Sequence, residues 1–133
     1  MFKTLQPHVW AFDAEWVPDP VTGRAVYGLP DQMTDEDVVA TMYERGGATE
    51  EEPRPYLKTI LCRIVSVSVV TRNKEKDGVK LQLTSLPSPS AAGIQPLPEA
   101  ELVQRFLEGV GRSQPQLVGY NSGGADLRIL VQR

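Results

Sequence analysis

The order of elements that the sequence predicts is strand, insertion, strand, strand, helix, strand, helix, which describes a mixed α/β sheet with helices packed on it. Three observations carry that expectation. Residues 8–12 form a short apolar run that leads into Asp13-Ala14-Glu15. Residues 60–71 are apolar on both alternating faces, as an interior strand must be. Leu102, Val103, Phe106, Leu107 and Val110 then recur at helical spacing before a further short apolar run at residues 117–120.

Taken in order, the first run reads as a buried strand stopped by Pro18 and Pro20. Residues 17–30 are punctuated by Pro and Gly and read as loop. Thr34 is placed to cap a short helix through the backbone of Asp37, with Val38, Val39, Met42 and Tyr43 on one stripe and Gly46-Gly47 ending it. Residues 48–55, acidic and Pro-containing, read as a solvated connector. In the long strand, Ile60, Cys62, Ile64 and Val70 are assigned to one face and Leu61, Val65, Val67 and Val69 to the other. Asp77-Gly78 turns the chain into a partner strand whose Val79, Leu81 and Leu83 alternate as if half-buried. After a Pro-, Ser- and Gly-rich loop over 85–98, Pro98 opens a helix that Gly111 is expected to close. The last helix begins near Asp126.

The chain has 133 residues, 41% apolar and 23% charged, enough for one domain around one core. Residues 31–58 form an insertion between the first and second strands. A net charge of -3 gives no bulk attraction to a phosphate backbone, so any such contact needs a local patch or bound cations. Cys62 is the single cysteine, which excludes an intrachain disulfide and a cysteine-rich zinc site. Residues 1–10 show no charged-then-apolar signal pattern, and no apolar stretch is long enough to cross a bilayer. A soluble cytoplasmic protein without a membrane partner is the expectation.

Chemistry concentrates at Asp13 and Glu15. Residues two apart on a strand project from one face, and two like charges side by side are costly unless one is protonated or a cation neutralises both. Oxygen-ligated divalent ions are the usual remedy. The spacing alone does not decide, since Asp35/Asp37, Glu50/Glu52, Glu75/Asp77 and Glu99/Glu101 repeat it. Those four fall at helix starts, in the connector and in a turn, where solvent or a helix dipole accounts for them. Only Asp13/Glu15 continues an apolar strand.

The second signal is Leu117-Val-Gly-Tyr-Asn-Ser-Gly-Gly-Ala-Asp-Leu-Arg-Ile-Leu130. A strand carrying Asp-x-Glu, followed far downstream by Gly-Tyr-Asn-x-x-x-x-Asp-Leu-Arg-x-Leu, resembles the first two exonuclease motifs of the DEDD nucleases in the spacing of family-B polymerase proofreading domains. The likeness extends to Pro18-Asp19, Gly28-Leu-Pro-Asp31 and residues 60–72, and is nearest to stand-alone bacterial proteins related to that proofreading domain. The resemblance implies an RNase H-like (ribonuclease H-like) fold. It implies that Asp13, Glu15 and Asp126 are metal-binding catalytic carboxylates for two Mg²⁺ or Mn²⁺ ions, and that the activity is 3'-5' exonuclease on nucleic acid, with single-stranded DNA the expected substrate. Asn121, Trp16 and Arg128 are the candidate substrate contacts.

Two positions depart from the family pattern: Ala125 stands where phenylalanine is usual, and Trp16 where threonine is common. The third motif, with its tyrosine or histidine and fourth aspartate, is expected beyond Arg133. His8, without a companion of zinc-ligand spacing, is assigned no role. A non-catalytic module that keeps the nuclease fold to bind single-stranded nucleic acid or a protein is the rival reading.

Overall fold

The computed structural model describes residues 4–133; residues 1–3, part of the stretch read for a signal pattern, lie outside the described residues. In chain order the elements are β1 (His8–Pro18), α1 (Pro20–Tyr27), α2 (Asp35–Arg45), a 3-10 turn (Thr59–Leu61), β2 (Cys62–Glu75), β3 (Gly78–Leu86), β4 (Pro89–Ser90), β5 (Gly93–Ile94), α3 (Glu99–Ser113), β6 (Gln116–Val118) and α4 (Asp126–Gln132). One sheet runs β3-β2-β1-β6, with β1 antiparallel to β2 and parallel to β6, while β4 and β5 pair only with each other. The fold class is therefore the predicted mixed α/β one. No helix among the described residues is long and apolar enough to cross a membrane.

The core lies on one face of the sheet. Phe12 and Ala14 of β1 and Ile64, Val67 and Val69 of β2 pack against Val38 and Met42 of α2, Leu102 and Phe106 of α3, and Ile129 and Leu130 of α4. Phe12 and Phe106 meet as a tilted aromatic pair with centroids 5.5 Å apart. The helix caps follow the sequence: the Thr34 hydroxyl accepts the Asp37 N–H at 3.2 Å, and α2 ends at Gly46.

Four expectations need correction. The facing of the long strand changes midway, because Glu15 pairs with Ser66 while Trp16 pairs with Ile64. Val65 is thus an extra residue, and this β-bulge lets Ile64 and Val67 both reach the core. The expected loop over 17–30 contains α1, whose Pro20 sits in the first turn where a missing N–H costs nothing. Gly23 inside it is no breaker; a Cβ there would lie 2.5 Å from the Met42 sulfur, so glycine is what lets α1 approach α2. Helix α3 runs through Gly111 and ends at Gln114, itself in the left-handed region with φ 44°. Finally, Val79, Leu81 and Leu83 of β3 are 52%, 65% and 69% exposed rather than half-buried, because β3 is the edge strand of the sheet and is exposed on both faces over residues 78–84.

Asp19 does two jobs. Its carboxylate caps α1, accepting the Val21 N–H at 3.1 Å and the Thr22 hydroxyl at 2.6 Å, and it is paired with Arg133 at 2.9 Å although it is 3% exposed. Arg133 also binds Glu99 at 2.6 Å, so one guanidinium joins the starts of α1 and α3 to the end of α4. Burial alone would raise the pKa of Asp19, but the bonds from Thr22 and Arg133, the Arg133 charge and the Val21 N–H more than offset it and hold the group below the ordinary aspartate value.

A carboxylate held low in the folded state stabilises it fully above the ordinary value, near pH 3.9, and loses that contribution as pH falls through the lowered one. Denaturant titrations of Asp19→Asn should therefore show a deficit at pH 7 that shrinks below about pH 4. Arg133→Met should cost about 3 kcal/mol at pH 7, since it strands a buried charge. Equal deficits at pH 7 and pH 3 would show that the ion pair does not hold these helices.

Candidate active site

The sequence places Asp13 and Glu15 on the same side of β1, alternating with buried Phe12 and Ala14, and both acidic residues are exposed. They stand on the sheet face away from the main core. Asp13 lies opposite Ser68 and Glu15 opposite Ser66 in β2, so their cross-strand neighbours are small hydroxyls and not cations.

Asp126 arrives from a different direction. Parallel pairing of β6 with β1 stops at Val118 opposite Ala11, which leaves the following stretch of β1 without a neighbour on that side. The chain turns through residues 119–125, and Asp126 at the start of α4 presents Oδ1 to the backbone N–H of Ala14 at 3.3 Å. Ala14 is the residue between Asp13 and Glu15. A carboxylate 4% exposed therefore lies against the strand at the acidic pair, 112 positions upstream in sequence.

None of the three carboxylates forms an ion pair among the described residues. A buried carboxylate without a cation is expensive, and one long hydrogen bond compensates only part of that cost. The donor set is all oxygen, which suits Mg²⁺ or Mn²⁺, and its uncompensated charge is what a bound cation would relieve. The side chains are not drawn together as they stand: among the described residues, no three His, Cys, Asp or Glu groups form a cluster that could hold a metal ion. Convergence here is that of one carboxylate on the strand backbone, not a closed cage.

The turn that delivers Asp126 is built from small residues. Asn121 has φ 50°, a conformation its short polar side chain tolerates, and its carbonyl accepts the Gly124 N–H at 2.8 Å. A Cβ on Gly124 would lie 2.8 Å from Asn121 Oδ1, so glycine leaves the space the amide occupies. Arg128 is exposed, and its Nε donates to the Gly123 carbonyl at 3.2 Å, closing the same turn. Ala125 is buried immediately before α4. Trp16 is half-buried, packed against the core and edge-on to Tyr56, with ring centroids 6.4 Å apart.

Residues 54–133 match the family described as predicted 3'-5' exonucleases related to the exonuclease domain of PolB. The chain belongs to this family. The match spans more than half of the sequence and includes Asn121 and Asp126, but begins after β1, so Asp13 and Glu15 lie outside it. No curated protein and no solved structure matches the chain. Membership in this exonuclease family implies an RNase H-like fold, a nucleic-acid substrate and metal dependence.

Two features escaped the sequence. Asp19, Glu99 and Arg133 meet only in three dimensions, and nothing in their spacing announces it. Tyr56 follows a connector that gave no sign of its edge-on contact with Trp16. Burial raises the pKa of the Tyr56 hydroxyl, with further contributions from Cys62 and then from the Asp126 charge.

Replacing Gly124 with Ala should push the Asn121 amide aside while leaving the fold intact, with stability within about 0.5 kcal/mol of wild type by thermal melting. If Asn121 positions substrate, nucleotide release from a 3' end should fall by up to about a hundredfold. An unchanged rate would remove Asn121 from the site.

Proposed function

We propose that this exonuclease-family chain hydrolyses phosphodiester bonds from the 3' end of single-stranded DNA, with Asp13, Glu15 and Asp126 as the carboxylates that hold two divalent ions. The observation that carries the reading is the Asp126 carboxylate against the N–H of Ala14, between Asp13 and Glu15 and without a cationic partner. When bound, Mg²⁺ or Mn²⁺ supplies charge neutralisation at the phosphate, an activated water and stabilisation of the leaving 3' oxygen.

The chain's own residues have distinct tasks. Asp13 and Glu15 present carboxylates to solvent from a rigid strand, so substrate reaches them without unfolding any element. Asp126 is fixed in place by its burial and by the strand N–H. Asn121 sits at the head of the turn and offers an amide to the substrate strand, while Trp16, its ring packed against the core, offers only its exposed edge. Arg128 keeps guanidinium donors for phosphate while its Nε holds the turn. With a net charge of -3 and three carboxylates carried along β1 and the start of α4, the site repels DNA unless cations are present, so metal dependence should extend to substrate binding.

The natural full-length protein, given a 5'-labelled single-stranded oligonucleotide, should shorten it stepwise from the 3' end with Mn²⁺ or Mg²⁺, and stop when EDTA is added. Asp13→Ala, Glu15→Ala and Asp126→Ala should each lower the rate by roughly three orders of magnitude or more with the fold retained by circular dichroism. Tight binding of the oligonucleotide with no cleavage under any metal would instead assign the chain as a non-catalytic single-strand-binding module.

A further inference from the structure

The sheet face that carries Asp13 and Glu15 also carries a cation that no carboxylate holds. Cys62 and Ile64 are buried in the core, so Arg63 between them projects from the opposite face, and it is exposed. The strand register fixes its place on that face. Arg63 lies opposite Val17, two residues beyond Glu15, which puts it about 7 Å farther along the sheet. Arg24, Arg105 and Arg133 are each paired with carboxylates, whereas Arg63 forms no ion pair among the described residues. Asp35, Glu36 and Glu44 line the hollow beside α2 that Arg63 also borders, and none of them pairs with it.

A groove connects this guanidinium with the acidic pair. Arg63, Ser66, Ser68 and Ser85 line one cavity of about 490 Å³, with Pro87 and Ile94 also along it. Ser66 is the cross-strand neighbour of Glu15, and Ser68 that of Asp13. The Ser68 and Ser85 hydroxyls meet at 3.1 Å, and since one donates to the other, one hydroxyl proton is left for a further acceptor. A sugar–phosphate backbone calls for this combination, hydroxyl donors for its oxygens and an uncommitted guanidinium for its charge. The carboxylates supply neither.

We infer that this groove carries the substrate strand away from the carboxylates, and that Arg63 is a positioning residue that binds the phosphate of a linkage upstream of the one being cut. The inference rests on the nuclease reading and extends it to a residue outside both sequence motifs. The offset of Arg63 from Glu15 along the sheet sets its guanidinium beyond the scissile phosphate, so it holds the strand without entering the reaction.

The test uses the full-length protein with Mn²⁺ and a series of single-stranded oligonucleotides, each with one uncharged methylphosphonate linkage at a different position upstream of the scissile one. Wild type should show one position at which the neutral linkage raises KM about tenfold with little change in kcat, as loss of one charge-assisted hydrogen bond does. Arg63→Gln should raise KM for the fully charged strand by a similar factor and be indifferent to the neutral linkage at that position. Its plot of log KM against log salt should also be shallower by about 0.7, the loss of one phosphate contact on a single strand. Arg63→Lys, which keeps the charge, should again discriminate. If Arg63→Gln discriminates at the same linkage as wild type, or if wild type tolerates a neutral linkage at every upstream position, the inference fails while the nuclease reading stands. Absence of metal-dependent cleavage of the fully charged strand by wild type would overturn both.

Discussion

The early end of β6 is the constraint on which the site depends. Because that strand stops at Val118, opposite Ala11, β1 continues past it with an unpaired edge, and the N–H of Ala14 must find a partner elsewhere. Asp126 provides it. A backbone requirement of the sheet thereby brings a carboxylate from the end of the sequence to the middle of Asp13-Ala14-Glu15. Had β6 been three residues longer, its own carbonyl would have served, and Asp126 would have had no place at the strand.

The same logic recurs on the other side of the sheet. The pairing of β2 with β3 ends at Val67, and the N–H of Ile64 beyond it donates to Glu99 at 2.7 Å. In both cases a carboxylate from the first turn of a helix completes a strand edge, α3 through Glu99 and α4 through Asp126. Their charges are managed differently. Glu99 is bound by Arg133, which also holds Asp19, so its charge serves the packing of three helices. Asp126 has no such partner among the described residues. Asp19 and Glu99 are neutralised within the chain by Arg133, whereas the three carboxylates proposed for catalysis have no cationic partner among the described residues.

Much of the framework was legible because it depends on local patterns. The apolar run before Asp13, the Asp77-Gly78 turn, the Thr34 cap and the stripe from Leu102 to Val110 each encode an element within a few residues. The four decoy acidic pairs also lie where their neighbours predicted, although Glu99 proved to have a specific partner. What failed did so for physical reasons. Gly23 and Gly111 resemble breakers, but one permits a close helix contact and the other lies inside a helix long enough to tolerate it. The bulge at Val65 leaves no trace in a strand that is apolar on both faces. Exposure of Leu81 and Leu83 reflects the edge position of β3, not their alternation. The residues proposed for the site stand out in the sequence, but their arrangement does not, since Asp13/Glu15 and Asp126 are joined only through the backbone of Ala14.

The central claim is that a divalent ion binds where Asp126 meets β1. Paramagnetic broadening of backbone amide signals by substoichiometric Mn²⁺ reads that location directly. The account predicts that the amides of Asp13, Ala14 and Glu15 lose intensity first, together with that of Asp126, and that Asp126→Asn weakens the effect at all of them. Broadening centred instead on the acidic starts of α2 or α3, or unchanged by Asp126→Asn, would contradict it.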